Sequence, residues 1–189
     1  MEKLIIESQE QVNDLLVDAS LFFKGSIVFN CFVCVPWSIT AGGDITAEEG
    51  IKAGESITAG GSIKAGWGIT AEGSIASERG INAGESILAG ANITAGWGVE
   101  AGWGILAGRG IAAGGSIKAV GPITAGESIL AGAHIMAGWG IEAGESIMAG
   151  EGSGIFAGLG VRIGEWKRHA KVSAKTKPAN LISGFWAGG

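Results

Sequence analysis

Residues 39–62 read ITAGGD ITAEEG IKAGES ITAGGS. An aliphatic residue opens each group of six, Ala stands third, Gly usually stands fourth, and Gly or Ser most often closes the unit. The beat runs without a slip from Ile39 to Ile147. Val99 is its one departure from Ile, and Ser77 its one departure from Ala. Leu21, Ile27 and Val33 extend the phase backward. Two residues are inserted within 151–154, after which Ile155 and Val161 take the phase up again, so the repeat spans 21–165.

A period of six scatters Ile around three sides of an α-helix and leaves no apolar stripe. In a strand, alternation puts the aliphatic residue and Ala on one face and the residue between them on the other. A Gly-rich corner then redirects the chain, and the expected reason for Gly there is its freedom to adopt unusual dihedrals. The pattern predicts an all-β fold, a single-stranded parallel β-helix of triangular section. Three units, 18 residues, close each coil, and roughly eight coils stack at about 4.8 Å. A repeat of this kind decides the architecture ahead of any local propensity.

Composition agrees. The chain has 189 residues, of which 36 are Gly and only 3 Pro. Gly does not recur at every third place, which excludes collagen, and Gly at this density penalises a helical bundle. Formal charge is uneven. Residues 1–160 carry −10, whereas 161–189 carry six Lys/Arg against Glu165. An acidic body argues against nucleic-acid binding by the body.

The ends leave the pattern and divide the chain into 1–20, 21–165 and 166–189. Leu4-Ile5-Ile6 reads as a short strand. Ser8 with Gln11 fits a capping box, and Val12, Leu15, Leu16 and Ala19 form one apolar stripe. The expectation is a helix over 9–19 that caps the first coil. The basic tail holds Leu181, Ile182, Phe185 and Trp186, which either fold back as the second cap or meet another chain.

Little points to catalysis. Cys31 and Cys34 form a C-x-x-C without the second ligand pair that a metal site needs, and their apolar β-rich surroundings suit small semi-buried thiols. His134 stands at a corner position usually held by Gly or Ser. Glu48-Glu49 lies on a solvated edge, and no phosphate-binding P-loop occurs. No cofactor is expected. No signal peptide or membrane helix is read, so the expected location is cytoplasmic.

Outward positions must then carry any specificity. Trp67, Trp103 and Trp139 are spaced by 36 residues and share a corner, with neighbours expected about 10 Å apart. Glu49 and Glu85 alternate with them, and Trp97 lies on a neighbouring corner. Trp beside acid on a rigid surface is hot-spot chemistry for a protein partner; indoles folded over bare Gly backbone would also account for them. Outward Leu130, Met136 and Met148, with Phe185 and Trp186, point to a second copy of the chain. Thr40, Thr58 and Thr94 share a face that Ala76, Ala112 and Leu130 interrupt, which makes a poor ice-binding array.

In repeat length the chain resembles the hexapeptide-repeat β-helix proteins, a group with left-handed acyltransferases and bactofilin-like polymer formers. That resemblance implies a stacked coil. It offers two alternatives to a non-catalytic interaction module, a self-assembling scaffold and an acyltransferase-like trimer with a catalytic His. A fourth reading is an acidic nucleic-acid mimic. The interaction module is favoured, by analogy with the small acidic inhibitors that phages and mobile elements carry.

Overall fold

The computed structural model describes residues 2–188 as a parallel β-solenoid of about nine turns, 18 residues to the turn. Each turn contributes one short strand to each of three sheets. The first sheet has eight strands, from Leu21–Phe23 to Ile147–Met148. The second has ten, from Lys3–Ile6 to Leu181–Ser183, and the third nine, from Val33–Val35 to Phe185–Trp186.

Register explains the hexad. Ile63 pairs with Ile81 and Ala65 with Ala83 one turn on, and the same match repeats along all three sheets. The Ile63 amide donates to the Gly80 carbonyl and the Ile81 amide to Gly98, both at 3.0 Å. The in-phase aliphatics are buried in three interior columns, with Ala beside each corner where the triangle narrows. Each buried Ile removes about 1.5–3 kcal/mol of apolar exposure.

The corner glycines correct one expectation. Among the described residues, glycines with positive φ are Gly152, Gly158, Gly184 and Gly188, all beyond the regular coils. Close approach favours Gly in the repeat instead. A Cβ at Gly60 would lie 2.5 Å from the Gly42 carbonyl oxygen, well inside van der Waals contact. Gly is not obligatory there: Glu48, Glu72, Glu78 and Val120 hold the equivalent place with amide hydrogen bonds to the preceding turn of 2.9, 3.2, 3.1 and 3.4 Å.

The sixth position also acquires a reason. Its side chain accepts from the backbone one turn later: Asp44 Oδ1 from the Ser62 amide at 2.7 Å, Ser56 Oγ from Ser74 at 3.1 Å, Asn92 Oδ1 from Gly110 at 3.0 Å. Corner amides that no strand reaches are thereby satisfied.

At the N-terminal pole, Lys3–Ile6 pairs in parallel with Ser26–Phe29. Helix α1 is Gln9–Leu15, shorter than the expected 9–19. Ser8 Oγ accepts from the Gln11 amide, while Gln11 Oε1 accepts from the Glu7 amide. Asp18 and Ala19 adopt positive φ in a tight turn closed by Val17 and Ser20, which ends the helix and takes Ala19 off its stripe. Val12 is buried and plugs the core. The Gln9 carboxamide donates to the Cys34 carbonyl and accepts from the Cys34 amide, each at 2.8 Å. It stands in for a neighbouring strand at the open edge of the third sheet.

At the other pole the regular beat stops at Ile155-Phe156-Ala157. Val161 does not form a strand. The chain leaves the coil through Gly158 (φ 77) for a 3₁₀ turn and the short helix α2, Trp166–His169, and Ile163 is 95% exposed in that turn. Val172-Ser173-Ala174 then supplies the aliphatic-x-Ala unit, with Val172 set over Ile141. Leu181–Ser183 stacks on Ile155–Phe156, and Phe185–Trp186 on Lys171–Val172. The tail therefore continues the second sheet by one strand and the third by two, with Leu181–Ser183 and Phe185–Trp186 as their last strands.

Ile93→Ala, in a middle rung, is expected to lower unfolding free energy by about 2–5 kcal/mol in chemical denaturation. Gln9→Ala, which bares the Cys34 backbone, is expected to lower it by about 1–3 kcal/mol. Full stability of either variant would contradict the corresponding packing.

Candidate functional site

The corner between the second and third sheets carries the column Glu49, Trp67, Glu85, Trp103, Gly121, Trp139. Their backbones are chained turn to turn: the Trp67 amide donates to the Glu49 carbonyl at 3.1 Å, Glu85 to Trp67 at 3.2 Å, Trp103 to Glu85 at 3.0 Å, and Trp139 to Gly121 at 3.3 Å. The fifth hexad position points outward at a turn, so each side chain stands on a ridge. Trp67, Trp103 and Trp139 are 52%, 52% and 41% exposed. Each indole is thus half covered by its neighbours and half presented to solvent.

Spacing between the rings differs from the expected value. The Trp103 and Trp139 ring centroids are 5.6 Å apart, edge to face at 65°. Gly121 between them has no side chain, so the two indoles close the gap of a whole turn. His169, on α2, extends the cluster, its ring centroid 5.9 Å from that of Trp139. Sequence periodicity held no signal for His169, which lies outside the repeat.

Trp97 sits on the corner between the first and second sheets, 63% exposed, with the Arg79 guanidinium 5.7 Å from its ring centroid. It walls an open cleft of about 330 Å³ whose polar side chains include Lys64, Asn82, Glu100 and Lys118. Trp37 is a further exposed indole, on the corner between the third and first sheets below Glu55.

The five residues read as contacts between copies are not brought together. Leu130 and Met148 are adjacent rungs of the first sheet's outer face. Met136 lies on the second sheet between Lys118 and Phe156. Phe185 and Trp186 form the last strand of the third sheet.

His134 belongs to the corner ladder: its Nδ1 accepts from the Gly154 amide at 3.0 Å, and its ring meets Phe156 edge to face. Among the described residues no group of three His, Cys, Asp or Glu side chains is placed to hold a metal ion. Among the described residues no helix is long and apolar enough to cross a membrane. Both cysteines are free, Cys34 exposed and Cys31 half-buried. Burial pushes the Cys31 thiol up, and the nearby carboxylates of Glu49 and Glu7 add to the shift.

Comparison of the chain with protein-family models, curated proteins and solved structures gives no match.

A raised pKa leaves less Cys31 thiolate at a given pH. Iodoacetamide at pH 8 is expected to label Cys34 before Cys31, and Glu49→Gln to speed Cys31 labelling by about two-fold through loss of the adjacent charge. Faster labelling of Cys31 than of Cys34 would contradict the placement.

Proposed function

We propose that the protein is a non-catalytic interaction module that offers the Trp67–Trp103–Trp139 ridge to a protein partner. The observation that carries this reading is the half-exposed, edge-to-face pair of Trp103 and Trp139 on a rigid backbone, with Glu49 and Glu85 interleaved along the same ridge. Large aromatics held in place lose little entropy on docking, and Trp is enriched among residues that dominate binding energy. The carboxylates supply a charged rim that selects partners with Lys or Arg opposite them.

Two observations weigh against the rival readings. His134 spends its Nδ1 on a backbone amide, which leaves a corner role in place of a general base. A filament built end to end would require bare terminal coils, whereas α1 and the Gln9 carboxamide occupy the N-terminal pole.

The test is affinity capture from the source cell with the wild type, Trp103→Ala/Trp139→Ala, and Trp97→Ala as a surface control, followed by titration of the captured protein. Removal of the pair is expected to weaken binding by about 30-fold or more, the scale of a hot-spot truncation, and Trp97→Ala to leave it within about three-fold. A partner that binds the double variant as well as the wild type removes the ridge from the account.

A further inference from the structure

The ladder of sixth-position acceptors breaks on the corner between the first and second sheets. Ser26 and Asp44 serve the amides of Asp44 and Ser62, and His134 serves that of Gly154. Between them stand Gly80 and Gly98, which have no side chain to offer. Among the described residues the amides of Gly80, Gly98 and Ser116 donate to no acceptor. All three residues line the open cleft walled by Trp97, on successive turns about 4.8 Å apart. Sterics do not require glycine at position 80: a Cβ there would meet its nearest atom, the Gly98 carbonyl oxygen, at 3.5 Å, an ordinary contact.

Cations gather at the same place. Residues 1–160 hold seven Lys/Arg, and three of them, Lys64, Arg79 and Lys118, line this cleft or the hollow of about 270 Å³ that continues it. None of the three is in an ion pair; the one pair among the described residues is Lys175 with Glu145, at 3.7 Å. Of the two carboxylates that face the cleft, Asp44 spends its Oδ1 on the Ser62 amide, and Glu100 stays exposed. Ser77, the repeat's one departure from Ala, braces this corner: its hydroxyl accepts from the Arg79 amide at 3.1 Å and donates to the Gly80 carbonyl at 3.2 Å. The Trp ridge corner also bares amides, at Gly68 and Gly104, but it sets Glu49 and Glu85 beside them.

We infer that the Trp97 cleft binds a small ring-bearing phosphate of the nucleoside monophosphate class. The phosphate takes the place of the missing acceptors: an oxygen over Gly80 receives the Gly98 amide as Asp44 Oδ1 receives that of Ser62. Backbone N–H groups in a row, flanked by Lys and Arg, make a cradle for an oxyanion. The Trp97 indole, 63% exposed and next in sequence to Gly98, gives a base a surface to stack on. The acidic body repels a polynucleotide, whereas a single phosphate responds mainly to charges within about 10 Å. A cleft of about 330 Å³ matches a ligand of that size. The site is separate from the Trp67–Trp103–Trp139 ridge, and the inference does not rest on that ridge's partner.

Titration of the isotope-labelled full chain with adenosine monophosphate, followed in amide correlation spectra, tests it. The Gly80, Gly98 and Ser116 amides and the Trp97 indole N–H are expected to move together and to saturate with a Kd of about 1 mM or below. Adenosine and inorganic phosphate, each with half of the chemistry, are expected to bind at least about ten-fold more weakly. Trp97→Ala and the double variant Lys64→Ala/Lys118→Ala are each expected to raise Kd by about ten-fold. Gly80→Asp supplies the missing acceptor from the chain itself, so it is expected to abolish binding while its thermal midpoint stays at or above that of the wild type. No movement of these resonances up to about 10 mM nucleotide, adenosine or phosphate alone binding as tightly as the nucleotide, or a folded Gly80→Asp that binds like the wild type would overturn the inference.

Discussion

Vertical registration of one turn on the next is the constraint from which the rest follows. In the regular coils every residue stands one strand spacing from its counterpart 18 positions away, and each strand inside a sheet is hydrogen-bonded to the turns before and after it. Three requirements result. The inward column must be a residue that stacks on itself, which Ile does. The third position is small in the regular coils, where the columns converge toward a triangle's corners, and only the first coil places Phe23, Phe29 and Val35 there. The fourth must approach the carbonyl of the preceding turn too closely for most side chains, as at Gly60. The sixth can supply an acceptor to the amide above it, and Ser, Asp, Asn and His134 all do so.

A uniform interior confines individuality to the outer surface and the two poles. The second and fifth hexad positions are free to vary, and there the chain places indoles, carboxylates and the cations of the Trp97 cleft. The geometry also fixes which of these act together. A spacing of 36 residues brings Trp67, Trp103 and Trp139 to one ridge, and the absence of a side chain at Gly121 lets two of them touch. The ridge and the Trp97 cleft lie on the two corners that flank the second sheet.

Much of this was legible in the sequence because the period is short and exact over a long span. Phase alone assigned the inward columns, the three faces and the membership of each corner. Three features escaped, each for a physical reason. Val172-Ser173-Ala174 fits the unit but follows an excursion whose length no local rule sets, and Val161 keeps the hexad phase without forming a strand. Gln9 completes a sheet edge with its side chain, a long-range contact invisible to helix patterning. His169 reaches Trp139 from outside the repeat altogether. The glycines were placed correctly and explained wrongly, since close approach and not left-handed backbone selects them.

The most direct measurement is of scalar couplings across backbone hydrogen bonds in isotope-labelled protein. Stacked 18-residue turns predict a coupling from the Ile63 amide nitrogen to the Gly80 carbonyl carbon, from Ile81 to Gly98 and from Ile93 to Gly110, each partner seventeen residues ahead. Couplings from these amides to carbonyls four residues back, or to partners whose separation shrinks steadily along the chain as in a hairpin, would contradict the solenoid and everything built on its faces.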